Sequence, residues 1–81
     1  MNWKRLFEKR ITEIMVDKLV TFEIYYKIPG ISSRFDKINA IEEDYVEVYT
    51  SDDVTITLIP YDSINFIDIL YPDNKKMRIV E

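Results

Sequence analysis

Cysteine and histidine are both absent from this chain. Without cysteine there is no disulfide framework and no thiol chemistry. Without either residue a structural zinc site has no ligands of the usual kind, so no metal is expected. Glycine occurs once, at Gly30. A loop that cradles phosphates needs several glycines for close backbone approach, so that class of site is excluded. No apolar run reaches the roughly 20 residues of a membrane-spanning helix. The first residues are charged where a secretory leader needs its apolar stretch, so the expected location is cytoplasmic, with no membrane partner.

Nucleophilic catalysis needs an activated Ser, Cys or Lys beside a base. Ser63 beside Asp62 has no third member to complete such a set, and no enzyme activity or cofactor is expected. Glu42, Glu43 and Asp44 are adjacent in sequence and cannot all converge on one point. The alternating ligands and central glycine of a calcium loop are missing. Acids of this kind at turn tips serve solubility and discourage edge pairing.

The 81 residues make one domain, residues 1–81, small enough to be marginal alone. With disulfides and zinc excluded, extra stability must come from an aromatic core or from self-association. The chain carries 11 basic and 15 acidic residues, a net charge of −4. That balance disfavours duplex DNA as a partner. The charge is uneven. Lys4, Arg5, Lys9 and Arg10 crowd the start, whereas residues 36–68 hold nine acids against Lys37 alone.

Residues 2–16 have helical period, with Trp3, Leu6, Phe7, Ile11, Ile14 and Met15 on one broad face. Asn2 is placed to cap the first turn, and Glu13 to pair with Lys9 or Arg10. This face fits a helix that covers one end of a sheet; the other reading is a basic amphipathic helix lying on a membrane or a nucleic acid. Residues 18–28 alternate as a strand, ended by Pro29-Gly30 in type II turn chemistry. Further strands are expected near 34–41, 45–50, 54–59 and 64–71. Acidic turns and Pro60-Tyr61-Asp62-Ser63 separate them. The tail 72–81 adds a short edge strand through Met77 and Ile79, or is loose. The expected fold is mainly β: an N-terminal α-helix followed by a five-stranded antiparallel SH3/Sm-like barrel.

The stretch Lys37-Ile38-Asn39-Ala40-Ile41-Glu42-Glu43-Asp44-Tyr45-Val46-Glu47-Val48 resembles the strand 2–turn–strand 3 motif of the Sm/LSm family, above all its bacterial RNA-chaperone branch, Hfq. Ile41, Glu42 and Tyr45 stand where that motif has an apolar residue, an acid and an aromatic. Residues 55–68 resemble its last two strands, and the likeness spans residues 3–71. It implies a ring-forming oligomer that binds RNA or a small nucleotide between subunits, with Tyr45 stacking on a base. The other reading of Tyr45, favoured by the lack of nearby positive charge, is a cross-strand partner of another aromatic. The departures are specific. The family's strand-2 glycine is replaced by Asp36 or Lys37. The Tyr-Lys-His triplet of the last turn is replaced by Pro60, Tyr61 and Asp62.

Two functions follow. The first is a non-enzymatic, homo-oligomeric Sm-like binding module for RNA or a small nucleotide. Its ligand residues are Tyr45, Tyr61, Asp62, Ser63, Lys27 and Arg34. Subunits meet through strands 54–59 and 64–71 as open edges, with Ile59, Ile67, Ile69 and Tyr71 at the interface and Pro60–Ser63 near the junction. The second is an acidic protein-interaction module, a phage or mobile-element inhibitor that docks on a basic host protein surface.

Overall fold

The structure is a computed structural model that describes residues 2–17 and 19–81. Lys18, where the first strand was expected to begin, lies outside the described residues. The chain is mainly β, with one helical segment at its start and two antiparallel sheets.

The helical segment consists of α1 (Trp3–Leu6), a π-helical turn (Phe7–Ile11) and α2 (Thr12–Asp17). Asn2 caps it as expected, its Oδ1 accepting the Arg5 N–H at 3.0 Å. The π turn widens the spiral by one residue. Thr12 Oγ1 donates to the Phe7 carbonyl inside it. Trp3, Leu6, Phe7 and Ile11 are buried, and Ile14 and Met15 pack half-buried beside them. The pair one turn apart is Lys4–Glu8 at 4.0 Å, rather than one made by Glu13.

Seven strands follow: β1 (Thr21–Tyr26), β2 (Ser32–Phe35), β3 (Lys37–Ile41), β4 (Tyr45–Thr50), β5 (Asp53–Pro60), β6 (Ile64–Leu70) and β7 (Lys76–Ile79). One sheet has the order β2-β1-β6-β7 and the other β3-β4-β5. The two sheets are not joined by hydrogen bonds into a closed barrel, and there are seven strands where five were expected.

The strand expected at 34–41 is divided at Asp36. That residue's carboxylate accepts the Ser51 N–H at 2.8 Å and the Ser51 hydroxyl at 2.6 Å. The corner between the sheets is thus fixed to the β4–β5 turn. Gly30, at φ +83°, supplies the left-handed position of the β1–β2 turn. The tail is ordered as β7, with Ile67 opposite Ile79 and Ile69 opposite Met77.

Strand alternation sends Phe22, Ile24, Val46, Val48, Ile67 and Ile69 into one shared core with the helix. Phe35 stacks on Phe22 at 5.0 Å, and Phe7 lies 6.0 Å from Phe35 and 6.1 Å from Tyr61. Each fully buried aliphatic or aromatic side chain contributes about 1.5–3 kcal/mol. Among the described residues no helix is long and apolar enough to cross a membrane.

Candidate functional site

Pro60 ends β5 opposite Tyr45, and its nitrogen, which has no N–H to donate, lies on the side away from β4. The chain turns there through one 3-10 turn, Tyr61–Ser63, closed by the Ser63 hydroxyl donating to the Pro60 carbonyl at 2.7 Å. Tyr61 ties this turn to the acidic β3–β4 turn. Its N–H donates to the Asp44 carbonyl at 3.1 Å, and its hydroxyl to the Glu42 carbonyl at 2.7 Å. Lys27, just past β1, donates its N–H to the Ser63 carbonyl at 2.9 Å. These contacts bring Lys27, Tyr61 and Asp62 to one groove of about 330 Å³, which also takes Trp3, Lys4 and Glu43.

The electrostatics of the groove are mixed. Lys4 Nζ sits 3.0 Å from Glu43, and that hydrogen bond raises the Lys4 pKa above its ordinary value. Burial pushes the Tyr61 phenol up to about 12, helped by the nearby carboxylates Glu8, Glu42, Glu43 and Asp44. Tyr61 is therefore a neutral donor whose hydroxyl is already engaged.

The other expected ligand residues are spread out. Tyr45 is half-buried at the start of β4, opposite Pro60. Ser63 is spent on closing its own turn. Arg34 lies on β2, where it pairs with Glu23 at 3.7 Å, and so stands apart from the groove.

The expected interface set is corrected by burial. Ile67 and Ile69 are fully buried, Ile59 is buried, and Tyr71 packs half-buried against the same core. The reason is topological: β6 was expected to be an open edge, but it lies between β1 and β7. Of the two expected edges only β5 is free.

A cluster that the sequence reading missed lies on the outward face of the larger sheet. Asp68 is fully buried there beneath the cations of β7. Arg78 Nε and Nη2 donate to its two oxygens at 2.9 and 3.3 Å, and Lys76 Nζ lies 3.8 Å away. The Arg78 guanidinium also sits 3.9 Å from the Phe66 ring centroid, and Tyr25 stacks on that ring at 4.6 Å. The available signal was an acid inside the INFIDIL alternation and two cations at strand spacing in the tail. This cluster holds β7 in place.

The fold also separates charge. Residues 36–62, which build β3, β4, β5 and their turns, hold Asp36, Glu42, Glu43, Asp44, Glu47, Asp52, Asp53 and Asp62 against Lys37 alone. Glu42, Glu43, Asp44, Asp52, Asp53 and Asp62 are exposed. No family model, curated protein or solved structure matches this chain.

Proposed function

We propose that the protein is a non-enzymatic small-barrel module of the SH3/Sm-like kind that works as a homo-oligomer. It docks on a basic protein surface through the acidic turns of its three-stranded sheet. The barrel reading rests on chain order. On this reading β2 and β3, which flank Asp36, count as the two halves of one bent strand, and β6 returns to pair with β1. Helix, β1, bent β2/β3, β4, β5 and β6 then follow the Sm-like sequence of elements, with β7 as an addition.

The observation that carries the docking reading is the exposed acidic set of residues 36–62. Such a surface focuses a negative potential, steers a cationic partner and repels phosphate. A protein of this kind that mimics nucleic-acid charge would suit a phage or mobile-element inhibitor of a host protein.

The groove around Lys27 and Tyr61 supports the second reading, RNA or a small nucleotide. That reading is the weaker one because Glu43 occupies Lys4 and Asp62 lines the groove beside Lys27. Calorimetric titration with a lysine- and arginine-rich peptide and with a single-stranded RNA oligomer separates the two. The expected result is salt-sensitive peptide binding, abolished in the double variant Glu42→Lys, Glu43→Lys, and no RNA binding. RNA binding without peptide binding overturns the proposal.

A further inference from the structure

Among the described residues β5 pairs with β4 on one side and with no strand on the other. The ladder fixes which peptide groups face that open side. Tyr45 is opposite Pro60, Val46 is opposite Ile59, and the Tyr61 N–H donates to the Asp44 carbonyl. In an antiparallel pair this pattern turns the N–H and C=O of Ile59, and of Thr57 two residues earlier, towards β4. Those of Leu58 and Ile56 then point away, to the open edge.

The start of the strand agrees. The Asp53 N–H donates to the Thr50 hydroxyl at 3.1 Å, so Asp53 faces β4 and Val54 faces out. The ladder is irregular between Val48 and Thr50, and there the Asp53 carboxylate takes up the Thr55 N–H at 3.0 Å. Between the Val48–Thr57 and Thr50–Asp53 pairs β5 advances further than β4, so the irregularity lies in β5 at Val54–Ile56. Because the excess is an even number of residues, the alternation of facing groups along β5 is kept.

The same three residues carry the exposed apolar side chains. Leu58 is opposite Glu47, on the sheet face away from the core, and Ile56 and Val54 continue that row. Val54 is 72 % exposed, Ile56 43 % and Leu58 53 %.

We infer that this edge binds a second copy of itself, antiparallel, about a two-fold axis at Ile56; the inference rests on the proposed homo-oligomer and names its interface. In that register Ile56 faces Ile56 of the partner subunit, and Val54 faces Leu58 of the partner subunit. All three pairs are of the doubly hydrogen-bonded type, about six bonds across the junction. The apolar row of one copy continues into that of the other. Thr55 meets the partner's Thr57, a favourable cross-strand pair.

Charge selects the same register. Asp53 and Asp52 fall opposite the partner's Ile59 and Pro60, at the two far ends, so no acid faces an acid across the strands. β7, a terminal strand of the other sheet, fits less well, because on the matching face it offers Lys76 and Arg78 to the apolar row. A two-fold contact of this kind closes at two subunits and does not propagate. One strand edge per copy is a small interface, so the dimer is a weak one.

Sedimentation equilibrium over a concentration series, at low and high salt, tests this. Wild type should show a monomer–dimer equilibrium that tightens with salt, because each copy carries a net charge of −4. Ile56→Lys should be monomeric and melt like wild type, since the side chain is exposed. A second variant uses the absence of cysteine: Ile56→Cys should oxidise to a disulfide-linked dimer much faster than Asn65→Cys, which lies on the exposed part of β6. Facing Cα atoms about 5.5 Å apart suit that bond.

Three results overturn the inference: Ile56→Cys crosslinking no faster than the control, a larger ring that survives Ile56→Lys, or a wild-type monomer throughout. The ring would keep the oligomer reading and discard the two-fold edge. A wild-type monomer throughout discards both, while the peptide titration still decides the acidic docking surface by itself.

Discussion

Replacing Asp68 by asparagine tests whether β7 is held by charge. The carboxylate is fully buried and accepts two charge-assisted hydrogen bonds from Arg78, with Lys76 at 3.8 Å. Hydrogen bonds to charged groups contribute about 1.5–3 kcal/mol. Deleting one partner of a buried pair costs most when the survivor is stranded in a dry site. Here the survivors are not stranded, because the Arg78 and Lys76 side chains are 54 % and 55 % exposed and can turn to water. The expected loss is therefore near the low end, about 2 kcal/mol. For a domain of this size that lowers Tm by about 8–16 °C.

The loss should also be local. Hydrogen exchange should quicken at the β6 amides that face β7 before it quickens at those facing β1. Thermal melts and exchange mass spectrometry of wild type and Asp68→Asn make the comparison. An unchanged Tm, or exchange that quickens evenly over both edges of β6, would refute the clamp.

Phe7→Ala should cost about 3–5 kcal/mol in a thermal or urea melt, as for other buried aromatic truncations, because Phe7 touches both Phe35 and Tyr61. Ile67→Lys should abolish cooperative unfolding by circular dichroism, since it places an ammonium in the core and not at a subunit contact. Tyr61→Phe should lose about 1 kcal/mol with its hydrogen bond to the Glu42 carbonyl. In an ultraviolet pH titration one phenolate, that of Tyr61, should appear last, near pH 12. The folded pKa lies above the ordinary 10.0, so the stabilisation is complete below pH 10 and is lost as pH rises towards 12.

Much of the fold could be read from residue spacing. The helical stripe of Trp3, Leu6, Phe7 and Ile11 and the period-two runs Phe22–Ile24 and Val46–Val48 specify buried faces directly, because alternation leaves no other assignment for the core. The break at Asp36 was not legible, since it depends on a carboxylate contact with Ser51 fifteen positions away. Sequence alone leaves β7 open as strand or loose tail, because four residues carry little periodicity. Its pairing is settled by side-chain contacts across the β6–β7 turn, Asp68 with Arg78 and Ile67 with Ile79, which period alone does not specify. That uncertainty carried over to the interface: with the tail unplaced, β6 reads as an edge, and Ile67 and Ile69 read as contact residues. The groove was half legible. Tyr61, Asp62 and Lys27 were named from turn chemistry and charge, but Lys4 and Trp3 reach it only through the way the helix packs.

The pairing of β1 with β6 also sets the order in which the molecule can form. β3, β4 and β5 are joined by short turns, and such hairpins close in about 1–10 μs. β1 has one hairpin partner in β2, but its other neighbour comes from the far half of the chain: Phe22 pairs with Ile69. Closing so long a loop costs entropy before any contact rewards it, which places small β topologies of this kind in the ms–s range. The acidic meander can therefore pair locally before β1 meets β6, while Phe22 and Ile24 are still uncovered. The repulsion among its turns then keeps half-made molecules apart during the interval when their cores are open.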